Sequence, residues 1–222
     1  MQVLVVVDAQ NEFSAAGLRA VPNHAEALEC IRDRVAEARR EGRPIAWVRH
    51  YNKPDESRAF VPGTWGAELS SGLGPDPNLR SERLFEKDVF GAFTGTGLEE
   101  WLCKVGATSL LLVGFYAHMC LSTSAREALV RGFDVAVDPD GTGARDLDHE
   151  LLGHQSADEV RRSALLHLVN LGVTMERRND KFPIAAFSRT VSPADSADSL
   201  LLTMTRSTDT AATSDRSDRS CA

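Results

Sequence analysis

A continuous β-branched run near the N-terminus constrains the fold of this chain more than any other feature. Residues 3–7 read VLVVV, which is typical of a strand buried on both faces of a parallel sheet. A helix is predicted next, over residues 23–40, with Asn23 as its N-cap and Gly42 just past its end. The apolar residues at helical spacing are Ala25, Leu28, Ile31, Val35 and Ala38.

Strand and helix patterns then alternate along the chain. Strands are predicted at 45–50, 84–87, 109–115, 133–137 and 173–176, the last at the sheet edge. Helices are predicted at 98–105, from about Cys120 to Val130, and at 158–170. Strands separated by helices favour an α/β fold with a doubly wound, Rossmann-like, six-stranded parallel sheet and helices on both faces.

Composition divides the chain into one domain and a tail. Residues 1–187 are predicted to form a single domain. Residues 188–222 are dominated by Ser, Thr, Asp and Arg, so they are predicted to be disordered. Within the domain, residues 51–83 carry prolines and glycines without a clear period. A stretch of that length in a compact domain is usually functional, which predicts a pocket wall or lid.

Charge and cysteine content exclude several classes of function. The formal net charge is -7, which disfavours nucleic acid and anionic membranes as partners. The apolar runs are too short to span a bilayer, and the N-terminus lacks a basic region and a cleavage site, so a cytoplasmic location is expected. The four cysteines have no metal-binding spacing and are expected to be free thiols in a reducing compartment.

Three chemically reactive residues follow apolar runs. Asp8 comes directly after the first strand, Lys87 ends the third, and Cys120 lies six residues after Gly114 at the turn from the fourth strand into a helix. Each alone has an ordinary explanation: Asp8 as a turn cap or Mg²⁺ ligand, Lys87 as a solvated surface residue, Cys120 as inert packing. A helix N-terminus at Cys120 would lower the pKa of the thiol.

The combination is more specific than its members. In an open parallel sheet, ligands bind outside the carboxyl ends of the strands, so the three side chains are expected to converge there. Asp8 can accept the thiol proton, Lys87 can stabilise the charged groups, and Cys120 can attack a carbonyl carbon.

Three segments resemble the isochorismatase-like cysteine hydrolases, a superfamily that includes N-carbamoylsarcosine and ureidoacrylate amidohydrolases. VLVVVDAQNEF is similar to the family's opening strand, EKDVFGAFTGTGLEEWL to the segment around its lysine, and VGFYAHMCLSTSAREALVRGFDVAV to its nucleophile segment. The likeness spans roughly residues 1–176. The three segments in this order are specific together, although the middle one is weak alone.

The resemblance implies roles for individual residues. Asp8 would be the general base, Lys87 the stabilising cation and Cys120 the nucleophile of a hydrolase that cleaves a C–N bond of a small amide, ureide or carbamoyl compound through a thioester. A cis peptide would fall at Phe115–Tyr116, and the N–H groups of Tyr116 and Cys120 would face the oxyanion. The family also implies a homo-oligomer, a dimer or tetramer, and no cofactor.

The chain departs from the family pattern at several positions. Tyr116 replaces a small residue and is expected to narrow the pocket, and His118 replaces an acid, which puts the usual role of that position in doubt. Nicotinamidases carry an Asp-x-His metal motif after the second strand; here His50 stands without that spacing, which predicts no metal. Phe13 and Trp65 are candidate aromatic walls or plain packing residues, and Gln10 is expected to order the loop after Asp8.

Two alternatives remain open. An isochorismatase-type vinyl-ether hydrolase would keep the acid and the lysine but needs no cysteine nucleophile. A non-catalytic binding or assembly member would need none of the three residues. A dinucleotide-binding or P-loop function is disfavoured, because the chain has neither GxGxxG after the first strand nor a Walker A sequence.

Overall fold

The computed structural model describes residues 1–53 and 55–178. The strands are β1 Gln2–Val7, β2 Ile45–His50, β3 Glu82–Lys87, β4 Ser109–Gly114, β5 Asp134–Thr142, β6 Leu147–His149, β7 Gly153–Gln155 and β8 Thr174–Met175. The α-helices are α1 His24–Arg40, α2 Leu98–Lys104, α3 Ser122–Val130 and α4 Ala157–Asn170. Short 3-10 turns cover Asn11–Phe13 and Trp65–Ala67, and a π-helical turn covers Ala117–Leu121.

Six of the strands form one parallel sheet in the order β3-β2-β1-β4-β5-β8. Within it, Val5 of β1 pairs with Ala46 on one side and with Leu112 on the other. The predicted six-stranded parallel sheet is therefore confirmed, with β8 at its edge. The chain winds outward from β1 through β2 to β3 and then returns to β4 on the other side of β1. In open parallel sheets, such a reversal marks the ligand-binding crevice, which here would lie at the carboxyl ends of β1 and β4.

The two faces of the sheet support two separate cores. Val3, Val5 and Val7 of β1 pack into the core that includes α2, α3 and α4, whereas Leu4 and Val6 pack into the core that includes α1. Successive strand residues point to opposite faces, so an uninterrupted apolar run is what a strand covered on both faces requires. The prediction of helices on both faces is confirmed.

The end of the domain differs from the prediction in two places. β5 extends to Thr142, well beyond the predicted end at residue 137, after an irregularity in its register with β4. Buried Asp138 lies in this extension and pairs with Arg34 of α1 at 2.7 Å, which explains how a polar stretch continues as a buried strand. The antiparallel hairpin of β6 and β7 was not predicted, because its residues are exposed and lack an apolar alternation.

The cysteines correct one expectation. Cys30 and Cys120 are free thiols, as expected, but Cys103 is disulfide-bonded, so the expectation is wrong for this residue. Cys103 is only half-buried near the end of α2, whereas Cys30 and Cys120 are buried. Cys221 and the predicted tail 188–222 lie outside the described residues.

No helix among the described residues combines the length and the apolar character that crossing a membrane requires.

Candidate active site

Asp8 lies at the carboxyl end of β1 with its side chain fully enclosed. The residue is 0% exposed and has a positive φ of 51°. Its N–H donates to Val48 O at 2.9 Å, and its carbonyl accepts from Gln10 N at 2.8 Å. A left-handed conformation in a residue other than glycine costs on the order of 1–3 kcal/mol and persists where the surroundings fix it. The chain thus turns sharply at the residue that carries the carboxylate.

Lys87 reaches this carboxylate from the end of β3. Its side chain is buried, and its Nζ lies 2.8 Å from Asp8 Oδ2. At this distance the ammonium donates a charge-assisted hydrogen bond to the carboxylate. Nζ also donates to Val89 O at 3.2 Å. An ionised carboxylate offers about four lone-pair sites, so Asp8 keeps lone pairs that can accept a proton.

Cys120 completes the group from the π-helical turn that follows β4. Its sulfur lies within hydrogen-bonding range of Asp8 and of Lys87, and the residue is 8% exposed. The helix that was expected to begin near Cys120 begins at Ser122. The structure thus brings the carboxylate, the ammonium and the thiol together at the crevice beside the sheet reversal.

The protonation of this cluster corrects an expectation from the sequence. Burial raises the pKa of the Cys120 thiol, the Asp8 carboxylate raises it further, and Lys87 opposes them only in part. Burial lowers the pKa of Lys87, but Asp8 and Cys120 more than offset this and raise it overall. The predicted lowering of the thiol pKa by a helix terminus is wrong, because the carboxylate and the loss of solvent dominate. The resting site holds a neutral thiol beside a carboxylate–ammonium pair.

We expect Cys120 to react slowly with iodoacetamide at pH 7 and faster as the pH rises. The reactive species is the thiolate, whose fraction grows about tenfold per pH unit while the pH is below the pKa. Mass spectrometry of the Cys120 peptide measures the rate, and the thiol of Cys30, whose pKa burial and Asp138 also raise, is an internal comparison. An Asp8→Asn variant should label faster at equal pH, because it lacks the charge that disfavours the thiolate. A rate independent of pH between 6 and 8 would contradict this protonation state.

The segment between β4 and Cys120 contains the expected cis peptide, at Phe115–Tyr116. The N–H of Tyr116 donates to none of the residues that the structure describes, whereas the N–H of Ala117 donates to Gly143 O at 2.8 Å. The Tyr116 hydroxyl donates to Arg19 O at 2.6 Å, and burial raises the pKa of this phenol to about 12. The phenol is thus a fixed, neutral group near Cys120.

The other predicted pocket residues occupy different environments. Phe13 is buried at the centre of an aromatic cluster, with ring centroids 4.7 Å from Tyr116 and 5.2 Å from both Phe60 and Phe115. His118 is half-buried and stacks on Tyr116 at 5.1 Å, and its Nδ1 has no hydrogen-bond partner among the described residues. Trp65 is 56% exposed in its short turn. Phe13, Tyr116 and His118 are therefore contiguous, and Trp65 stands apart from their ring contacts.

Gln10 joins the site to the long segment after β2. Its side-chain amide donates to His50 O at 2.9 Å and Ala67 O at 2.7 Å, and its carbonyl accepts from His50 N at 2.8 Å. Every strong hydrogen-bonding direction of this buried amide except one acceptor lone pair is used. The expected ordering role of Gln10 thus extends from the Asp8 turn to the predicted pocket wall, which also pairs with it through Leu69.

Ser124 was not identified from the sequence. Its hydroxyl donates to Cys120 O at 2.6 Å and accepts from Ala92 N at 3.0 Å. It therefore ties the π-helical turn that carries Cys120 to the loop that follows Lys87. A serine within SAREAL at the start of a helix carries no signal for this contact, which depends on where the distant loop comes to lie.

A family model for the isochorismatase domain matches residues 2–162. The chain belongs to the isochorismatase family. Its match covers Asp8, Lys87 and Cys120 and most of the described domain.

Curated relatives of this isochorismatase-family chain include a secreted effector and a hydrolase. The secreted isochorismatase effector Isc1 of Verticillium dahliae is 36% identical over 65% of this chain and 74% of its own length. The streptothricin hydrolase of Streptomyces noursei is 35% identical over 66% of this chain and 56% of its own length. The similarity to Isc1 agrees with the family assignment, and neither protein's named activity is extended to this chain.

A solved structure supports the same assignment. The N-carbamoylsarcosine amidase of Thermoplasma acidophilum superposes with a TM-score of 0.66 at 26% identity, over 79% of this chain and 95% of its own. The streptothricin hydrolase and the N-carbamoylsarcosine amidase are both hydrolases.

The described residues contain no cluster of three His, Cys, Asp or Glu side chains suited to a metal ion. The two ring nitrogens of His50 have protein partners, Lys87 Nζ at 3.3 Å and Asn52 Oδ1 at 2.8 Å. Independence from metal ions stays a prediction for this isochorismatase-family member.

Proposed function

We propose that the protein is a cysteine hydrolase that cleaves a C–N bond of a small amide, ureide or carbamoyl compound. The observation that carries the proposal is the buried ion pair of Lys87 Nζ and Asp8 Oδ2 at 2.8 Å, with the Cys120 thiol in range of both. A carboxylate beside a neutral thiol can act as a general base. It accepts the thiol proton as the sulfur attacks, which activates the sulfur as a nucleophile.

The reaction consists of two acyl-transfer steps. Asp8 accepts the proton of Cys120 as the sulfur attacks the carbonyl carbon, which forms a tetrahedral oxyanion facing the N–H groups of Tyr116 and Cys120. Asp8 then donates its proton to the leaving nitrogen, and ammonia or an amine departs from a thioester. Water, deprotonated by Asp8, attacks the thioester, and the second intermediate collapses to the acid and the thiol. Lys87 remains an ammonium throughout and stabilises each negative charge.

The relatives support the same class of reaction. An amidase and a streptothricin hydrolase are among the proteins that resemble this chain. Phe13, Tyr116 and His118 form the aromatic side of the proposed substrate site, and Trp65 is proposed as an outer contact that orders when substrate binds.

The test is a screen of small primary amides, ureides and carbamoyl compounds for ammonia release, with the Cys120→Ala variant as control. We expect at least one compound whose turnover disappears in the variant, and a Cys120 adduct of the acyl mass after acid quenching. Turnover of a vinyl ether that survives in Cys120→Ala would instead support an isochorismatase-type reaction. No turnover of any compound, together with alkylation of Cys120 that stays slow as the pH rises, would favour a non-catalytic member.

Three further expectations accompany the proposal. Residues 1–187 form the catalytic unit, which a truncation after residue 187 with unchanged kcat/KM would support. A homo-oligomer, a dimer or tetramer, is expected and is checked by light scattering. A cytoplasmic location is checked by fractionation, against the secreted location named for Isc1.

A further inference from the structure

Lys87 has a polar neighbour that the proposed mechanism does not use. Its Nζ lies 3.3 Å from His50 Nδ1, in addition to the contacts with Asp8 and Val89 O. His50 is the last residue of β2 and pairs in register with Lys87 at the end of β3. The sheet therefore sets the two side chains next to each other at the edge of the crevice.

The chemistry of the groups fixes the direction of every hydrogen bond from Lys87 outward. An ammonium only donates, so His50 Nδ1 accepts and carries no proton. The proton of the neutral ring is then on Nε2, which donates to Asn52 Oδ1 at 2.8 Å. The Asn52 amide in turn donates to Ala59 O at 2.8 Å. A single tautomer of His50 and a single amide orientation of Asn52 satisfy all of these contacts.

The charges around His50 favour the same neutral ring. Burial lowers the pKa of His50, and the Lys87 ammonium lowers it further, while Asp8, Asn52 and the Val89 carbonyl act in the opposite direction with smaller effect. Lys87 and Asp8 are the charged groups with the largest effects on this ring.

The end of this chain of bonds lies in the long segment after β2. Asn52 N also donates to Phe60 O at 3.2 Å. The Phe60 ring meets His50 edge-on at 5.3 Å and Phe13 at 5.2 Å. Phe60 has a positive φ of 58°, a conformation that a bulky residue adopts only where its surroundings require it. The segment that packs against Phe13 of the substrate site therefore also holds His50.

We infer that His50 and Asn52 are positioning residues, which hold the Lys87 ammonium against Asp8 and Cys120 and connect its position to the segment around Phe60. The inference rests on the proposed function for its catalytic consequence, but not for the placement of Lys87. A substrate that moves the Phe60 segment therefore acts on the Lys87 ammonium through the side chains of Asn52 and His50.

The test compares His50→Phe, which keeps an aromatic ring against Phe60 but removes the acceptor, with His50→Asn, whose amide oxygen can restore an acceptor near the Nδ1 position. On an amide whose turnover requires Cys120, we expect His50→Phe to lower kcat about 10- to 100-fold, the range typical of supporting residues around a reactive centre, with KM changed less than about threefold. His50→Asn should recover most of kcat. His154→Phe, at an exposed histidine of the β6–β7 hairpin, is the matched control and should behave as wild type.

The pH profile separates positioning from general structural support. Asn52→Asp places a carboxylate beside His50 Nε2 and favours the protonated ring, which can no longer accept from Lys87. We expect the acidic limb of its kcat profile to move to higher pH, whereas Asn52→Leu should lower kcat without moving that limb. These variants also keep the test available if a change at His50 prevents folding.

The alkylation rate of Cys120 above pH 8 gives a readout without substrate. A displaced ammonium stabilises the thiolate less, so His50→Phe should label at least about threefold more slowly and His50→Asn should return toward wild type. Equal labelling rates in wild type and both His50 variants would overturn the inference, even if no substrate is known. Turnover that is absent from the wild type, with labelling that responds as expected, would overturn the proposed function alone.

Discussion

The Asp8→Asn variant is expected to lose at least about 10³-fold in kcat, because it keeps the shape of the side chain but removes the proton acceptor for Cys120. A well-placed general base contributes about 10²–10⁴-fold, and in the proposed mechanism the same carboxylate serves both acyl-transfer steps. The measurement is ammonia release under saturating substrate. Asp148→Asn, at an exposed carboxylate of the β6–β7 hairpin, is the control and should retain wild-type turnover.

The same substitution is expected to destabilise the fold by about 3–5 kcal/mol, because it leaves the buried Lys87 ammonium without its counter-ion. Urea unfolding followed by circular dichroism measures this loss. The double variant Asp8→Asn/Lys87→Met removes the stranded charge as well, and it should recover most of the lost free energy of unfolding while staying inactive. Recovery of folding without recovery of turnover identifies the ion pair as a catalytic feature that the fold does not require.

Two results would contradict this account. Turnover of Asp8→Asn within tenfold of wild type would exclude Asp8 as the base. Turnover in the double variant comparable to wild type would exclude any role of the ion pair in the reaction.

The sequence predicted the sheet and the meeting of Asp8, Lys87 and Cys120 for the same physical reason. A short apolar, β-branched run is typical of a central parallel strand that is buried on both faces, and the residue after such a strand lies at the carboxyl edge of the sheet. Asp8 and Lys87 are separated by 79 positions along the chain but only by β2 within the sheet. Their proximity follows from strand order, which the alternating pattern already restricts.

The remaining parts of the site depend on contacts that no local pattern contains. The conformation of the segment after β2 is set by hydrogen bonds to distant groups, such as Ser70 N to Ala9 O at 2.8 Å and Asn52 Nδ2 to Ala59 O. Phe60 was therefore missed, and the partners of His50 could not be identified. The direction of the Cys120 pKa was also wrong from sequence, since it depends on how close Asp8 comes and how much solvent is lost.

Gly114 is the residue whose replacement should affect the fold most. It ends β4 with a φ of +123°, and a Cβ at this position would lie 1.8 Å from Val7 O. The strands approach this closely because Phe115 N donates to Val7 O at 2.9 Å, while Gly114 O accepts from Thr142 Oγ1 at 2.6 Å. The backbone at Gly114 is thus bound to β1 on one side and to β5 on the other. The atoms that a Cβ would meet belong to the backbone of Val7 and cannot move away as the end of a flexible side chain could.

We expect Gly114→Ala to lower the free energy of unfolding by at least about 4 kcal/mol, a size of loss that overpacking combined with strain at a special backbone conformation can reach. For a domain of this size that corresponds to a fall in Tm of roughly 10 °C. Gly106→Ala is the matched control, because Gly106 also has a positive φ of +72° but its Cβ would meet nothing within 4 Å. It should lose only about 1–2 kcal/mol, the cost of a left-handed alanine.

The difference between these two variants isolates the contact with Val7 from the cost of the backbone conformation. Any relief of the clash in Gly114→Ala must move β4 relative to β1, and therefore Cys120 relative to Asp8. Surviving Gly114→Ala protein should accordingly lose turnover as well as stability, whereas Gly106→Ala should keep wild-type kcat. Equal losses of Tm in the two variants would mean that the close approach of β1 and β4 is not what requires a glycine at position 114.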